Sequence, residues 1–200
     1  MSPADPIDRL VAEEIRAGLT GCRIGNRIVV LEETSSTNDL TWKAASENAA
    51  AGYVVFAEKQ SAGRGQYGRR WESAAYKGLW FSVLLRPQMS LRESPGLTGL
   101  LAELIAVAIK EQIGCATSIK PPNDIYVAGK KVAGILVEGR TGSDGAYVAV
   151  AGIGVNVNQS LDDFPGELRA SAGSLAMASG HPMARGKLAI ALLQQLEKAM

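Results

Sequence analysis

The sequence predicts an α+β domain in which a mixed β-sheet packs against helices. Strand-like runs cluster at 27–32, 53–58, 79–85, 125–138 and 147–156, with helical periodicity before, between and after them. A length of 200 residues suits one domain, and 46% apolar with 20% charged residues is the balance of a soluble globular chain able to bury a core.

Asp5-Pro6 can cap a first helix whose Ile7, Leu10, Val11 and Ile15 share a face. Arg27–Glu32 reads as the first strand, and Ser35 or Ser36 then caps a helix running to about Asn48. Gly52 precedes a strand at Tyr53–Glu58, and Leu79–Leu85 is another. Ser94-Pro95 opens the longest helix, apolar through Leu100, Leu101, Leu104, Ile105, Val107 and Ala108, which Gly114 ends. Thr117–Lys120 leads to a Pro-Pro-Asn-Asp turn and a hairpin from Ile125 to Glu138 turning at Ala128-Gly129. Tyr147–Asn156 alternates as a strand before opening into glycines, residues 160–182 are loop-rich with one short helix, and a final amphipathic helix from about Ala184 carries Leu188, Leu192, Leu193 and Leu196.

Composition excludes several functions. A net charge of +1 argues against a general polyanion binder and confines basic chemistry to a local patch. Cys22 and Cys115 lack metal-ligand spacing and are expected as small buried residues. The single histidine, His181, precedes Pro182 in a loop, which leaves Ser-His-Asp or Cys-His chemistry nothing to work with. Neither a membrane-length apolar run nor a signal pattern is present, so no membrane partner and a cytoplasmic location are expected.

The most informative segment is Lys59-Gln-Ser-Ala-Gly-Arg-Gly-Gln-Tyr-Gly-Arg-Arg-Trp71. Gly63, Gly65 and Gly68 let backbone N–H groups converge on an oxyanion, and Arg64, Arg69 and Arg70 add cationic forks. Its Gly-x-Gly-x-x-Gly spacing also fits a dinucleotide loop, but that motif must open a helix, whereas this one leads to the 79–85 strand. Nor is there a Gly-x-x-x-x-Gly-Lys-Ser/Thr phosphate loop. A solvated or nucleic-acid-touching segment is the alternative to an anion clamp.

Four other segments fall where ligands bind. Ser36-Thr37-Asn38 stands at a strand-to-helix junction, as a cap or as hydroxyls facing a polar ligand. Lys120-Pro-Pro-Asn-Asp124 sets a cation and polar turn residues at a strand end, a plain turn being the alternative. Lys131 enters an apolar strand beside Gly134, which is costly unless it meets an anion. Gly152-Ile-Gly-Val-Asn156 ends a strand with small residues, as a wall against a flat ligand would require.

The order of Ser36-Thr37-Asn38, Gln60, Gly63-Arg64-Gly65-x-x-Gly68-Arg69 with Trp71, Lys120-x-Pro122-Asn123-Asp124, Lys131-x-x-Gly134-Ile135-Leu136 and Gly152-x-Gly154-x-Asn156 resembles the biotin protein ligases over about residues 26–198. The related lipoate ligases share the fold, but their arginine-arginine and triple-glycine signature is absent. The resemblance implies a single catalytic domain over residues 1–200. It implies that biotin and Mg-ATP give biotinyl-5′-adenylate, whose acyl group passes to a lysine of a biotin carboxyl carrier domain.

By the same resemblance, Lys131 and Arg64 are the catalytic cations. Ser36, Thr37, Asn38, Gln60, Gly63, Gly134 and Gly152 join them around biotin. The nucleotide falls to Gly65, Gln66, Gly68, Arg69, Trp71, Lys120, Asn123, Asp124 and Asn156, with Asp124 as the Mg2+ partner. The chemistry fits: two unit charges 4 Å apart repel by about 1 kcal/mol in water and about 4 at an effective dielectric of 20, so cations must accompany a carboxylate approaching a phosphate.

Three departures from the family stand out. Gln66 replaces a frequent arginine, Pro121 replaces the usual tryptophan, and the small C-terminal β domain common in the family is expected to be absent. About 26 residues precede the first strand, too few for the winged helix of the repressor-type members, so no DNA partner is expected. Homodimerisation is left open. The rival functions are a lipoate or octanoate ligase or transferase and a non-catalytic biotin- or nucleic-acid-binding protein.

Overall fold

Alternation along the central strands decides which side of the sheet becomes core and which becomes site. The computed structural model describes residues 8–87, 94–142 and 145–200. Helix α1 (Ala12–Ala17) is followed by β1 (Arg27–Thr34), α2 (Thr37–Ser46), β2 (Tyr53–Gln60) and β3 (Gly78–Leu85). Then come α3 (Ser94–Ile113), β4 (Thr117–Lys120), β5 (Asp124–Val127), β6 (Lys130–Thr141) and β7 (Tyr147–Asn156). Two 3-10 turns (Leu161–Asp163 and Gly166–Leu168), α4 (Leu175–Ser179) and α5 (Arg185–Leu196) follow. The seven strands form one sheet in the order β1-β2-β3-β7-β6-β5-β4. Strands β1 and β2 run parallel and the other neighbours antiparallel, which is the mixed sheet expected.

In β3, Leu79, Phe81, Val83 and Leu85 point to one face, joined there by Ala149, Ala151, Ile153 and Val155 of β7. Leu101, Ile105 and Ile109 of α3 and Leu188, Leu192 and Leu193 of α5 close this core. Intervening positions, among them Ser82, Gly134, Glu138, Gly152 and Gly154, share the opposite face by the two-residue period. There α2 covers only one end, with Trp42 packed against Leu84, Val148 and Val150. The remainder of that face is available for a site.

Turn chemistry agrees with the predicted breaks. Ala128 and Gly129 both adopt positive φ (48° and 73°), as a two-residue hairpin turn requires, and Gly114 (φ 67°) follows the last residue of α3.

Two expectations are corrected. The helix anticipated from Asp5-Pro6 starts only at Ala12; positions 5–7 lie outside the described residues. Residues 8–10 are instead tied to β2 and to the start of α5: Leu10 N–H donates to Glu58 Oε1 at 2.8 Å, and Arg185 N–H donates to Asp8 Oδ2 at 3.0 Å. Cys22 and Cys115 are half-buried rather than buried, because each packs at the margin of the core.

Arg185 is fully buried, and its Nη1 donates to Glu58 Oε2 at 2.6 Å and to Gly78 O at 3.0 Å. Glu58 is itself 2% exposed, so the two form a core ion pair between α5 and β2 that the sequence reading missed.

Candidate active site

A cavity of about 470 Å³ opens on the helix-poor face of the sheet, within the usual range for small-molecule sites. It brings together every predicted site residue except Gly63 and Gly68. Those two shape the loop instead. A Cβ on Gly63 would lie 2.7 Å from Trp71 O, and Gly68 has φ 72°. The loop folds back on itself, with Trp71 N–H donating to Gly63 O at 2.9 Å and Gly65 N–H to Arg69 O at 2.7 Å.

One end of the cavity is a polar network. Ser36 takes the N-cap position of α2 without a capping hydrogen bond from its side chain, so it is a wall residue rather than a cap. The Thr37 N–H donates to Gln60 Oε1 at 2.8 Å, and Gln60 Nε2 donates to Ser73 Oγ at 3.3 Å. Ser82 Oγ lies 2.7 Å from Thr37 Oγ1 and donates to Asn38 Oδ1 at 2.6 Å. Asn38 Nδ2 and Trp42 Nε1 each donate to Glu138 Oε2 at 3.0 Å. Asn38 also explains Gly152, where a Cβ would stand 2.3 Å from Asn38 Oδ1.

Arg64 closes this end in an unexpected way. Its fork sits on Asp39, with Nη1 donating to Oδ2 at 2.9 Å and Nη2 to Oδ1 at 2.6 Å, and Nη2 lies 3.5 Å from Glu138 Oε1. These hydrogen bonds hold the Asp39 carboxyl below the usual carboxylate range and push the Arg64 guanidinium up. In this structure the Arg64 fork, which also lines the cavity, is paired with Asp39 and lies near Glu138, so that it fastens the glycine loop to α2 and β6.

The other end is cationic and aromatic. Lys131 Nζ lies 2.6 Å from Asp124 Oδ1 and 5.3 Å from the centroid of the Trp71 ring. The anion that makes this lysine tolerable is therefore Asp124, which the sequence reading had assigned to a metal. Beyond that ion pair, Asp124 Oδ1 makes no hydrogen bond. Trp71 lies over the small residues of the sheet: a Cβ on Gly154 would be 2.5 Å from its ring and one on Gly134 2.9 Å. The flat group that these glycines admit is the chain's own indole, whose buried Nε1 has no hydrogen-bond partner.

The segment after β7 straps this end in place. Lys131 N–H donates to Ser171 O at 2.8 Å and Lys131 O accepts from Gly173 N–H at 3.0 Å. Asn156, expected on the nucleotide, donates through Nδ2 to Gly173 O at 2.9 Å. Asn123 Nδ2 donates to Ile135 O at 3.1 Å, which braces the turn before β5. Lys120, Gln66 and Arg69 also line the cavity.

Ser82, Glu138, Asp39 and Trp42 do not line the cavity but form the hydrogen-bonded network behind its lining residues, which sequence reasoning missed. A lone serine in the apolar β3 run and a glutamate closing the apolar stretch of β6 were the available signals.

Residues 30–158 match the model of the biotin/lipoate A/B protein ligase family. The chain belongs to that family. This family member is 40% identical over 190 residues to the bifunctional ligase/repressor BirA of Bacillus subtilis, covering 95% of the chain and 58% of that relative. It is 34% identical over 203 residues to the biotin–[acetyl-CoA-carboxylase] ligase of Mycobacterium tuberculosis, covering 96% of the chain and 70% of that relative. Its fold matches the Aquifex aeolicus biotin protein ligase solved with biotin and ATP, with a TM-score of 0.73 and 31% identity over 87% of this chain and 70% of that one. The chain spans 58% of the length of the two Bacillus BirA relatives it matches.

Proposed function

We propose that this chain is a biotin–carrier protein ligase. The carrying observation is one cavity with an array of donors and acceptors (buried Thr37 and Asn38, half-buried Gln60) at one end and a lysine held against the sheet, Lys131, at the other. A ureido ring needs both donors and acceptors, and a carboxylate tail needs a cation. Supporting this reading, a solved relative of the same fold is described as a complex with biotin and ATP.

In the reaction, a biotin carboxylate oxygen attacks the α-phosphorus of ATP and the bond to pyrophosphate breaks. The ε-amine of a carrier lysine then attacks the acyl carbon of biotinyl-5′-adenylate, releasing AMP. Ser36, Thr37, Asn38 and Gln60 bind the ureido head, while Gly63 and Gly152 admit the groups that shape its walls. Lys131, next to Gly134, offsets the charge built up as carboxylate and phosphate approach. Arg64 keeps the loop seated, Gln66 lines the adenylate side, and Gly65 and Gly68 shape the turn that carries it. Arg69, Trp71, Lys120, Asn123 and Asn156 form the nucleotide side.

Among the described residues no cluster of three or more His, Cys, Asp or Glu side chains could hold a resident metal. A single carboxylate is nonetheless what a nucleotide-borne Mg2+ requires, and Asp124 is the residue that would hold it. When bound, that ion neutralises charge on the phosphates.

The test is to incubate a carrier domain with the protein, Mg-ATP and either biotin, lipoate or octanoate, and weigh the product. A mass increase with biotin alone is expected. An increase with lipoate or octanoate but not biotin overturns the reading, as does no increase with any acid.

A further inference from the structure

The polar end of the cavity is a single chain of hydrogen bonds whose proton order can be worked out group by group. A carboxylate only accepts, so Asn38 must turn its Nδ2 to Glu138 Oε2, the 3.0 Å contact observed, with Trp42 Nε1 donating to the same oxygen. Asn38 Oδ1 is left facing Ser82 Oγ at 2.6 Å and can only accept there. Ser82, fully buried in β3, has one hydroxyl proton, and this contact takes it.

Across the 2.7 Å separating the Ser82 and Thr37 hydroxyls, the donor must then be Thr37. Gln60 Oε1 accepts the Thr37 N–H at 2.8 Å and has a second lone pair within 3.1 Å of the Thr37 hydroxyl, but two hydroxyl oxygens 2.7 Å apart need a proton between them, and the Ser82 proton is spent on Asn38. With its proton spent on Ser82, the Thr37 hydroxyl on the cavity wall has only a lone pair to offer a ligand.

We propose that Glu138 is a positioning residue that, through Asn38 and Ser82, orients the Thr37 hydroxyl as an acceptor and so selects ligands presenting a ring N–H to it. This rests on the biotin reading and names what in this chain reads the ureido head. Such a site rejects a ligand lacking the donor more strongly than an apolar pocket could, because the acceptor is left buried and unpaired. A glutamine at 138 both donates and accepts, so Asn38 can flip, Ser82 can turn its proton to Thr37, and the polarity is lost.

The experiment measures dissociation constants by calorimetry for biotin and for two carbamate analogues, each with one ureido N–H replaced by ring oxygen. Wild type is expected to prefer biotin over at least one carbamate by tenfold or more. Glu138→Gln should bind biotin more weakly and shrink that preference below threefold. Ser82→Ala, which cuts the relay at its midpoint and loses little volume, should do the same and serves if Glu138→Gln does not fold. A folded Glu138→Gln or Ser82→Ala protein that keeps the wild-type preference overturns the proposal, even if its affinity falls. A wild type that binds biotin without preferring it to either carbamate also overturns the proposal and leaves the biotin reading intact. A wild type that binds no biotin overturns both.

Discussion

Lys131 is held from three sides, by the Asp124 carboxylate, the Trp71 ring and two backbone hydrogen bonds to the strap at 171–173. So fixed, it can meet a developing charge without reorganising. Lys131→Ala should abolish adenylate formation while leaving a folded protein; pyrophosphate exchange at the wild-type rate would remove it from the mechanism. Arg64 and Asp39 form one clamp, so Arg64→Ala, Asp39→Ala and the double variant should weaken biotin binding by similar factors, a non-additivity that a double-mutant cycle measures. The pH dependence has a defined sign. Because the Asp39 carboxyl is depressed by its hydrogen bonds to Arg64, the clamp is complete above the ordinary carboxylate range and is lost only as pH falls through the depressed value. Half of the Asp39 side chain is exposed, so the effect on stability is small. Gln66 lines the cavity where an arginine would add a charge-assisted hydrogen bond, typically worth about 1.5–3 kcal/mol. Gln66→Arg should hold the adenylate more tightly and reduce stray biotinylation of an unrelated lysine-rich protein, read with streptavidin; equal labelling by both proteins contradicts this.

Strands β6 and β7 show how an element's sequence serves a partner rather than itself. Gly134 and Gly154 are direct neighbours across the two strands, and together they make the shelf on which Trp71 lies. A methyl group on Gly154 would stand 2.5 Å from the indole, a distance that cannot be met without moving the ring. Gly154→Ala should therefore cost about 1–3 kcal/mol, the usual penalty for overpacking, and uncouple the glycine loop from the sheet. Urea denaturation gives the first quantity and a fall in biotin affinity the second. Unchanged stability and affinity would mean that Trp71 is not anchored by the shelf.

Over the whole molecule, the Arg185–Glu58 pair joins α5 to β2 across 127 residues of sequence, and both partners also bind the segment at Asp8–Leu10. Removing one partner leaves the other charge buried and uncompensated, which costs about 3–5 kcal/mol. Arg185→Met should thus lower stability strongly, whereas Arg185→Met combined with Glu58→Leu should recover much of the loss. Chemical denaturation of the three proteins tests this, and a double variant no better than Arg185→Met refutes it. No helix among the described residues is long and apolar enough to cross a membrane.

The strands and helices were legible in the sequence because their signals are local: a short apolar run at 79–85, alternation across 147–156, a 3.6-residue period in α3 and α5, and Gly114 and Ala128-Gly129 at their breaks. The motif residues gathered at one cavity because they fall at the start of α2, in the loop after β2, at the β4–β5 turn and on the glycine-bearing face of β6 and β7. Periodicity, however, carries no information about partners. Strand order decided those, by placing β7 between β3 and β6 so that Ser82 and Leu136 both flank Gly152 and Glu138 comes within reach of α2. Arg64 found Asp39, Lys131 found Asp124, and the glycine shelf received Trp71 rather than an outside ligand, because charge pairing and steric fit act through space between residues that only the folded sheet brings together.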